Sequence, residues 1–100
     1  MARSDFEWDP EKAKENRRKH GIGFEEAATV FPDPGALTLY DEEHSAAEDR
    51  WVTLGISGAG RLLVVCHTHR RESDTVRAVR IFSCRKATKH EAEQYKGANR

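Results

Sequence analysis

The residue types most suggestive of chemistry lie in the second half of the chain. Arg77, Arg80, Arg85 and Lys86 fall within or beside an apolar run of Val76, Val79, Ile81 and Phe82. A charge inside a strand is costly unless it is paired or reaches water. Strand alternation predicts Arg80 on a face with Val76, Ala78, Phe82 and Cys84. It predicts Arg77 on the opposite face with Val79, Ile81, Ser83 and Arg85. One sheet face is therefore expected to be open, and guanidinium forks on such a face suit phosphate oxygens. The rival reading pairs Arg80 with a carboxylate such as Glu91 or Asp49. His67 and His69 lie two apart and should share a face, here taken as part of the basic one. Two histidines do not complete a zinc site, Cys66 points the other way, and only His44 could be a third ligand. No metal and no cofactor is expected. Gly55-Ile56-Ser57-Gly58-Ala59-Gly60 lacks the GxGxxG spacing and reads as a hairpin turn. Ser57 has no nucleophile elbow around it.

These residues need elements to hold them. Phe6 and Trp8 alternate with charged neighbours, as in a short strand or extended arm. Asp9-Pro10 should open a helix over 10–20, with Asp9 as cap and Pro10 in the first turn. Glu11 suits its start, Arg17, Arg18, Lys19 and His20 suit its end, and Gly21 should stop it. Its apolar face is thin. Phe24, Ala27, Ala28 and Phe31 predict a second helix over about 24–31, ended by Pro32-Asp33-Pro34-Gly35. Ala36 to Tyr40 reads as a strand and Asp41 to Asp49 as an acidic loop. Trp51 to Ser57, Leu62 to His69 and Thr75 to Cys84 read as an antiparallel meander. Thr88 and Glu91 form a capping box for a last helix, running to about Lys96 before Gly97. The expected fold class is α+β, with two N-terminal helices packed on an antiparallel sheet of about four strands and a C-terminal helix.

A length of 100 residues predicts one domain over 1–100. The longest apolar run, Leu62 to Cys66, is too short to cross a bilayer, and the first residues lack a signal-peptide core. Membrane spanning and Sec-type secretion are not expected. Two cysteines do not make a disulfide framework and suit a reducing cytoplasm. The zero net charge conceals an asymmetry. Residues 1–50 hold 7 Lys and Arg against 13 Asp and Glu, and residues 51–100 hold 10 against 4. The balance disfavours indiscriminate polyanion binding but permits a local phosphate-binding face.

Several stretches taken together resemble the BrnT family. The opening Phe6-Glu7-Trp8-Asp9-Pro10 is followed by Lys12, Asn16, Lys19-His20-Gly21 and Phe24-Glu25-Glu26-Ala27. His44, Glu48-Asp49-Arg50-Trp51, Gly55 and Leu62-Leu63-Val64-Val65 continue the match. Arg80 to Ala87, Glu91 and Tyr95 complete it. Two positions depart: Gly23 stands where Ser or Thr is usual, and Cys84 where Ala is usual. The resemblance implies a RelE-like fold and a type II toxin that cleaves RNA and stops translation. It also implies a BrnA-type antitoxin as protein partner, with operator DNA reached only through that antitoxin.

RNA cleavage of this kind uses the 2′-hydroxyl as an internal nucleophile, so proton transfer and charge stabilisation suffice. On that reading Arg80 and Arg85 stabilise the phosphate or transition state. His44 and Arg50 are further catalytic candidates from matching motif positions, and His67 is a candidate base. Lys19 and Lys86 are expected to hold the RNA backbone, and Tyr95 to stack on or orient a base. Each has a structural rival: Arg50 and Glu91 as an ion pair, Tyr95 closing the core, His44 capping a loop. Two other function classes compete, a non-catalytic RNA-binding module and a small protein-interaction domain.

Overall fold

In the computed structural model the described residues are 3–71, 73 and 76–100, with backbone alone at Arg3, Ser4, Arg71, Val76 and Arg77. The expected strand start at Thr75 and the Arg77 side chain lie outside the described residues. The chain runs β1 (Arg3–Glu7), α1 (Pro10–His20), α2 (Phe24–Ala28), β2 (Leu37–Tyr40), β3 (Trp51–Ile56), β4 (Leu62–Arg71), β5 (Val76–Lys86) and α3 (Lys89–Ala98). A single 3-10 turn, Glu42–His44, interrupts the acidic loop.

The sheet has five strands in the order β1-β5-β4-β3-β2. β2 to β5 pair antiparallel, as the meander requires. β1 joins the far edge parallel to β5, with Phe6 opposite Val79 and Glu7 opposite Arg80. The sheet is thus mixed and five-stranded, which corrects the expected four-stranded antiparallel one. The arm at Phe6 becomes a true strand because α1 returns the chain across the sheet before β2. Phe6 and Phe31 then meet with ring centroids 5.1 Å apart.

α1 starts and stops where its caps dictate. Asp9 accepts from the Glu11 N–H at 2.9 Å, and Gly21, at φ 68°, donates its N–H to the Arg17 carbonyl. Positive φ at that position favours glycine. α2 is shorter than expected. The Thr29 hydroxyl donates to the Glu26 carbonyl at 2.6 Å and accepts from the Gly58 N–H at 2.7 Å, and turns carry the chain on to Phe31. α3 runs past Gly97 to Ala98, because Asn99 closes it by donating to the Tyr95 and Gly35 carbonyls at 2.8 and 3.0 Å. Its start carries the expected capping box between Thr88 and Glu91.

One face of the sheet lies under α1 and α2. Ile22, Phe24, Ala27 and Val30 pack there against Leu63, Val65, Val79, Ile81 and Cys84, all buried. α3 lies over one end of the opposite face, which is otherwise open.

Strand β5 contains the irregularity that decides the site. Cys66 pairs with Ser83, but His67 pairs with Ile81, so Phe82 is an extra residue in β5. Such a bulge reverses the alternation beyond it. The cross-strand partners place Val79, Ile81, Cys84 and Lys86 on the helix-covered face. They place Arg80, Ser83 and Arg85 on the open one. The expected grouping of Arg80 with Cys84, and of Arg85 with Ile81, is therefore corrected.

Candidate functional site

The open face is hollowed into a cavity of about 560 Å³ between β5, β4 and the acidic loop. Its walls include Val52, Val64 and Cys66 from the sheet, Phe82 and Arg85 from β5, Arg50 from the start of β3, His44 from the 3-10 turn, and Glu91 from α3. Three sequence-predicted residues, His44, Arg50 and Arg85, thus converge on one hollow.

His44 is held by its own loop. Its Nδ1 lies 2.9 Å from Asp41 Oδ2, and Asp41 also accepts through its carbonyl from Ser45 Oγ. A carboxylate on Nδ1 favours the tautomer with hydrogen there, leaving the Nε2 lone pair available. The side chain is 62% exposed and borders the cavity. The contact with Asp41 spans the 3-10 turn, as in a histidine that caps its own loop, and it also leaves the side chain open to the cavity.

Arg50 has no carboxylate partner among the described residues. Its guanidinium carbon lies 4.6 Å from the centroid of the Phe82 ring, a cation–π contact. That contact fixes the fork without neutralising it. Arg85 differs. Its Nη1 and Nη2 donate to Glu91 Oε1 and Oε2 at 2.8 and 2.9 Å. This two-pronged bond, with the Thr88 N–H, pushes the Glu91 carboxyl down to about 2. Glu91 thus pairs with Arg85, not with Arg80 or Arg50. Among the described residues Arg50 is the cation of the cavity left free for an anion.

Other predicted residues lie elsewhere. Arg80 is exposed on the same face as Arg85 but across the bulge, and it does not line the cavity. Lys86 is exposed at the end of β5 and faces the helix side, opposite Leu63. Lys19 lines a second, smaller groove along α1, of about 260 Å³. Tyr95 is half-buried and donates its hydroxyl to Asp33 Oδ2 at 2.7 Å, tying α3 to the loop after α2.

His67 requires a correction. It is fully buried on the helix-covered face, against the edge of Phe31 with ring centroids 4.8 Å apart. Its Nε2 lies 2.7 Å from Thr53 Oγ1 and its Nδ1 2.8 Å from His69 Nε2. Burial, with the charge of His69 beside it, lowers the His67 pKa to about 3. The two histidines share a face as expected. That face is the core, because Leu63 and Val65 on the same side of β4 must meet the helices.

Sequence reasoning missed Asp41 as the partner of His44 and Phe82 as the support of Arg50. The aspartate three residues before His44 was visible. The role of Phe82 was hidden because alternation alone cannot reveal a bulge.

Among the described residues no helix is long and apolar enough to cross a membrane. A search of curated proteins finds no match. Among solved structures, the chain is similar to the crystal structure of the Brucella abortus ribonuclease toxin BrnT. The TM-score is 0.60, with 19% identity over 86% of this chain and 97% of that one. At that identity the likeness establishes the fold. The family model described as ribonuclease toxin, BrnT, of type II toxin-antitoxin system matches residues 8–91, and the chain therefore belongs to the BrnT family.

Proposed function

We propose that the chain is a metal-independent endoribonuclease toxin that cuts RNA in the cavity formed by His44, Arg50 and Arg85. The observation that carries this reading is the meeting of an Asp41-oriented imidazole with an unneutralised guanidinium in one open hollow. His44 Nε2 takes the proton of an RNA 2′-hydroxyl. The 2′-oxygen bonds to the adjacent phosphorus and the bond to the 5′-oxygen breaks. The leaving oxygen takes a proton from solvent, and a 2′,3′-cyclic phosphate remains. Arg50 stabilises the charge that builds on the non-bridging oxygens, and Arg85 borders the same phosphate from its Glu91-fixed position. Arg80, Lys86 and Lys19 contribute to holding the RNA backbone outside the cavity. The wider reading includes a RelE-like architecture, arrest of translation in the cytoplasm and neutralisation by a BrnA-type antitoxin.

The test is incubation of the purified chain with bacterial RNA in EDTA, beside His44→Ala. The expected result is fragments with 2′,3′-cyclic phosphate ends, with the rate falling by about 10²–10⁴ in the variant. RNA left whole by the native chain, both free and on translating ribosomes, overturns the reading in favour of a binding module. Cleavage undiminished in His44→Ala overturns the assignment of the proton-transfer group.

A further inference from the structure

The Phe82 ring is the shared wall of two hollows. On one side it bounds the cavity that holds Arg50. On the other it bounds the groove along α1, together with Lys12, Lys19, His20 and Ser83. The Lys12 ammonium lies 5.9 Å from the ring centroid, and the Arg50 guanidinium carbon 4.6 Å from it. A cation, an aromatic ring and a second cation thus follow one another across the bulge of β5. One carboxylate, Glu15, also borders the groove. It is drawn to Arg18 by a two-pronged ion pair and lies 3.9 Å from Lys19. The Asn16 amide at the groove floor is spent on backbone groups of Ile22 and Cys84. Lys12 is not engaged by a carboxylate among the described residues.

We propose that the α1 groove is a second phosphodiester subsite. It takes the nucleotide next to the one cleaved, so that a single RNA strand crosses β5 at Phe82. Lys12 and Lys19 meet its phosphate, and Phe82, with a cation on each side, holds the two subsites in register. The proposal rests on the RNA-cleaving reading above. A groove of cations with an aromatic ring at its border is the usual means of binding single strands without strict sequence preference. Continuity with the cavity through one shared residue favours an RNA strand over an acidic protein segment, which would need no ring there.

The experiment measures binding of 2′-O-methyl oligoribonucleotides, which cannot be cleaved by the 2′-hydroxyl route, by fluorescence anisotropy over graded salt. A dinucleotide and a hexanucleotide are compared on the native chain, Lys12→Ala, Lys19→Ala, Phe82→Leu, Phe82→Trp and Arg50→Ala, the last of which should lose binding of both. Each lysine variant should weaken the hexanucleotide several-fold and flatten its salt dependence, the two together by about 0.7 in logarithmic slope, the share of one single-strand phosphate. Dinucleotide binding should stay unchanged. Phe82→Leu should weaken the hexanucleotide, and Phe82→Trp should restore it. Native slope and affinity in both lysine variants, with binding still lost in Arg50→Ala, overturn the subsite and leave the RNA reading standing. Failure of the native chain to bind either oligonucleotide removes both. The exposed lysines are outside the core, so their variants test the subsite even where a Phe82 variant folds poorly.

Discussion

The Asn16 carboxamide holds the backbone of Cys84 from both sides: Nδ2 donates to the Cys84 carbonyl at 2.9 Å, and Oδ1 accepts the Cys84 N–H at 3.0 Å. Strand β1 ends its pairing at Arg80, so the outer edge of β5 beyond the bulge has no strand beside it. Asn16 supplies there what a neighbouring strand would. α1 has little apolar surface to bury, with Asn16 its single buried residue and Ala13 half-buried. The amide therefore anchors the helix as well as the strand. Replacing it with Ala removes the partner of three backbone groups, the Cys84 N–H and the Cys84 and Ile22 carbonyls, each costing about 1 kcal/mol or more where water does not take its place. Asn16→Ala should destabilise the fold by about 2–4 kcal/mol, seen as a lower urea midpoint at unchanged slope. A shift under about 0.5 kcal/mol would show that water replaces the clamp.

Gly55 permits another close approach. A Cβ there would meet Val30 Cγ1 at 2.8 Å and Ala36 Cβ at 3.1 Å. Both neighbours are packed side chains, so little can give. Gly55→Ala should cost about 1–3 kcal/mol of overpacking, read by thermal or urea unfolding. An unchanged midpoint would mean that the loop after α2 moves aside freely.

Tyr95 offers a test that separates fold from site. Its hydroxyl donates to Asp33, whose carboxylate also accepts from the Ile56 and Gly35 N–H groups at 2.8 and 2.9 Å. These donors hold the Asp33 carboxyl below the usual carboxylate range, the Ile56 N–H most strongly. Tyr95→Phe should lose about 1 kcal/mol of stability and keep its RNA cleavage rate. A folded variant with a collapsed rate would return Tyr95 to the RNA.

Local chemistry made much of this fold legible. Asp9-Pro10, Gly21, the Thr88–Glu91 pair and the Ser57–Gly60 turn each act within a few residues, and each acts as its sequence context dictates. What escaped was non-local. The parallel seat of β1 depends on where α1 returns the chain. The bulge at Phe82 depends on how β5 must meet both β4 and Asn16. That single extra residue moved Cys84 into the core and brought Arg80 and Arg85 to the same face. His67 was misplaced for a related reason, since period two gives shared faces but not which face the helices cover.

Burial of His67 has a pH consequence whose sign is fixed. Its folded pKa of about 3 lies below the 6.5 of a free imidazole, so the unfolded chain binds more protons between those values. The stability contributed by the neutral ring is fully present above 6.5 and is lost as pH falls towards 3. Glu91, depressed from 4.5 to about 2, adds its own loss only below 4.5. The interval between 4.5 and 6.5 therefore isolates the imidazole from Glu91. Urea midpoints of the native chain should fall with acid across that interval, and those of His67→Gln should fall less steeply. Parallel slopes would place the acid sensitivity elsewhere.

Glu91 restrains Arg85 by occupying both ends of its fork. A phosphate entering the cavity must share that guanidinium with a carboxylate already bonded to it. Removing the negative charge while keeping the shape should favour the anion, although the capping box weakens. The Arg85 side chain is 43% exposed, so the gain is that of a partly screened pair, about 0.5–1 kcal/mol. Glu91→Gln should therefore bind a 2′-O-methyl oligoribonucleotide about two- to fivefold more tightly at low salt, with the advantage shrinking as salt rises. Weaker binding by a well-folded variant would show instead that the carboxylate aims the fork at the phosphate, and that orientation outweighs the charge it cancels.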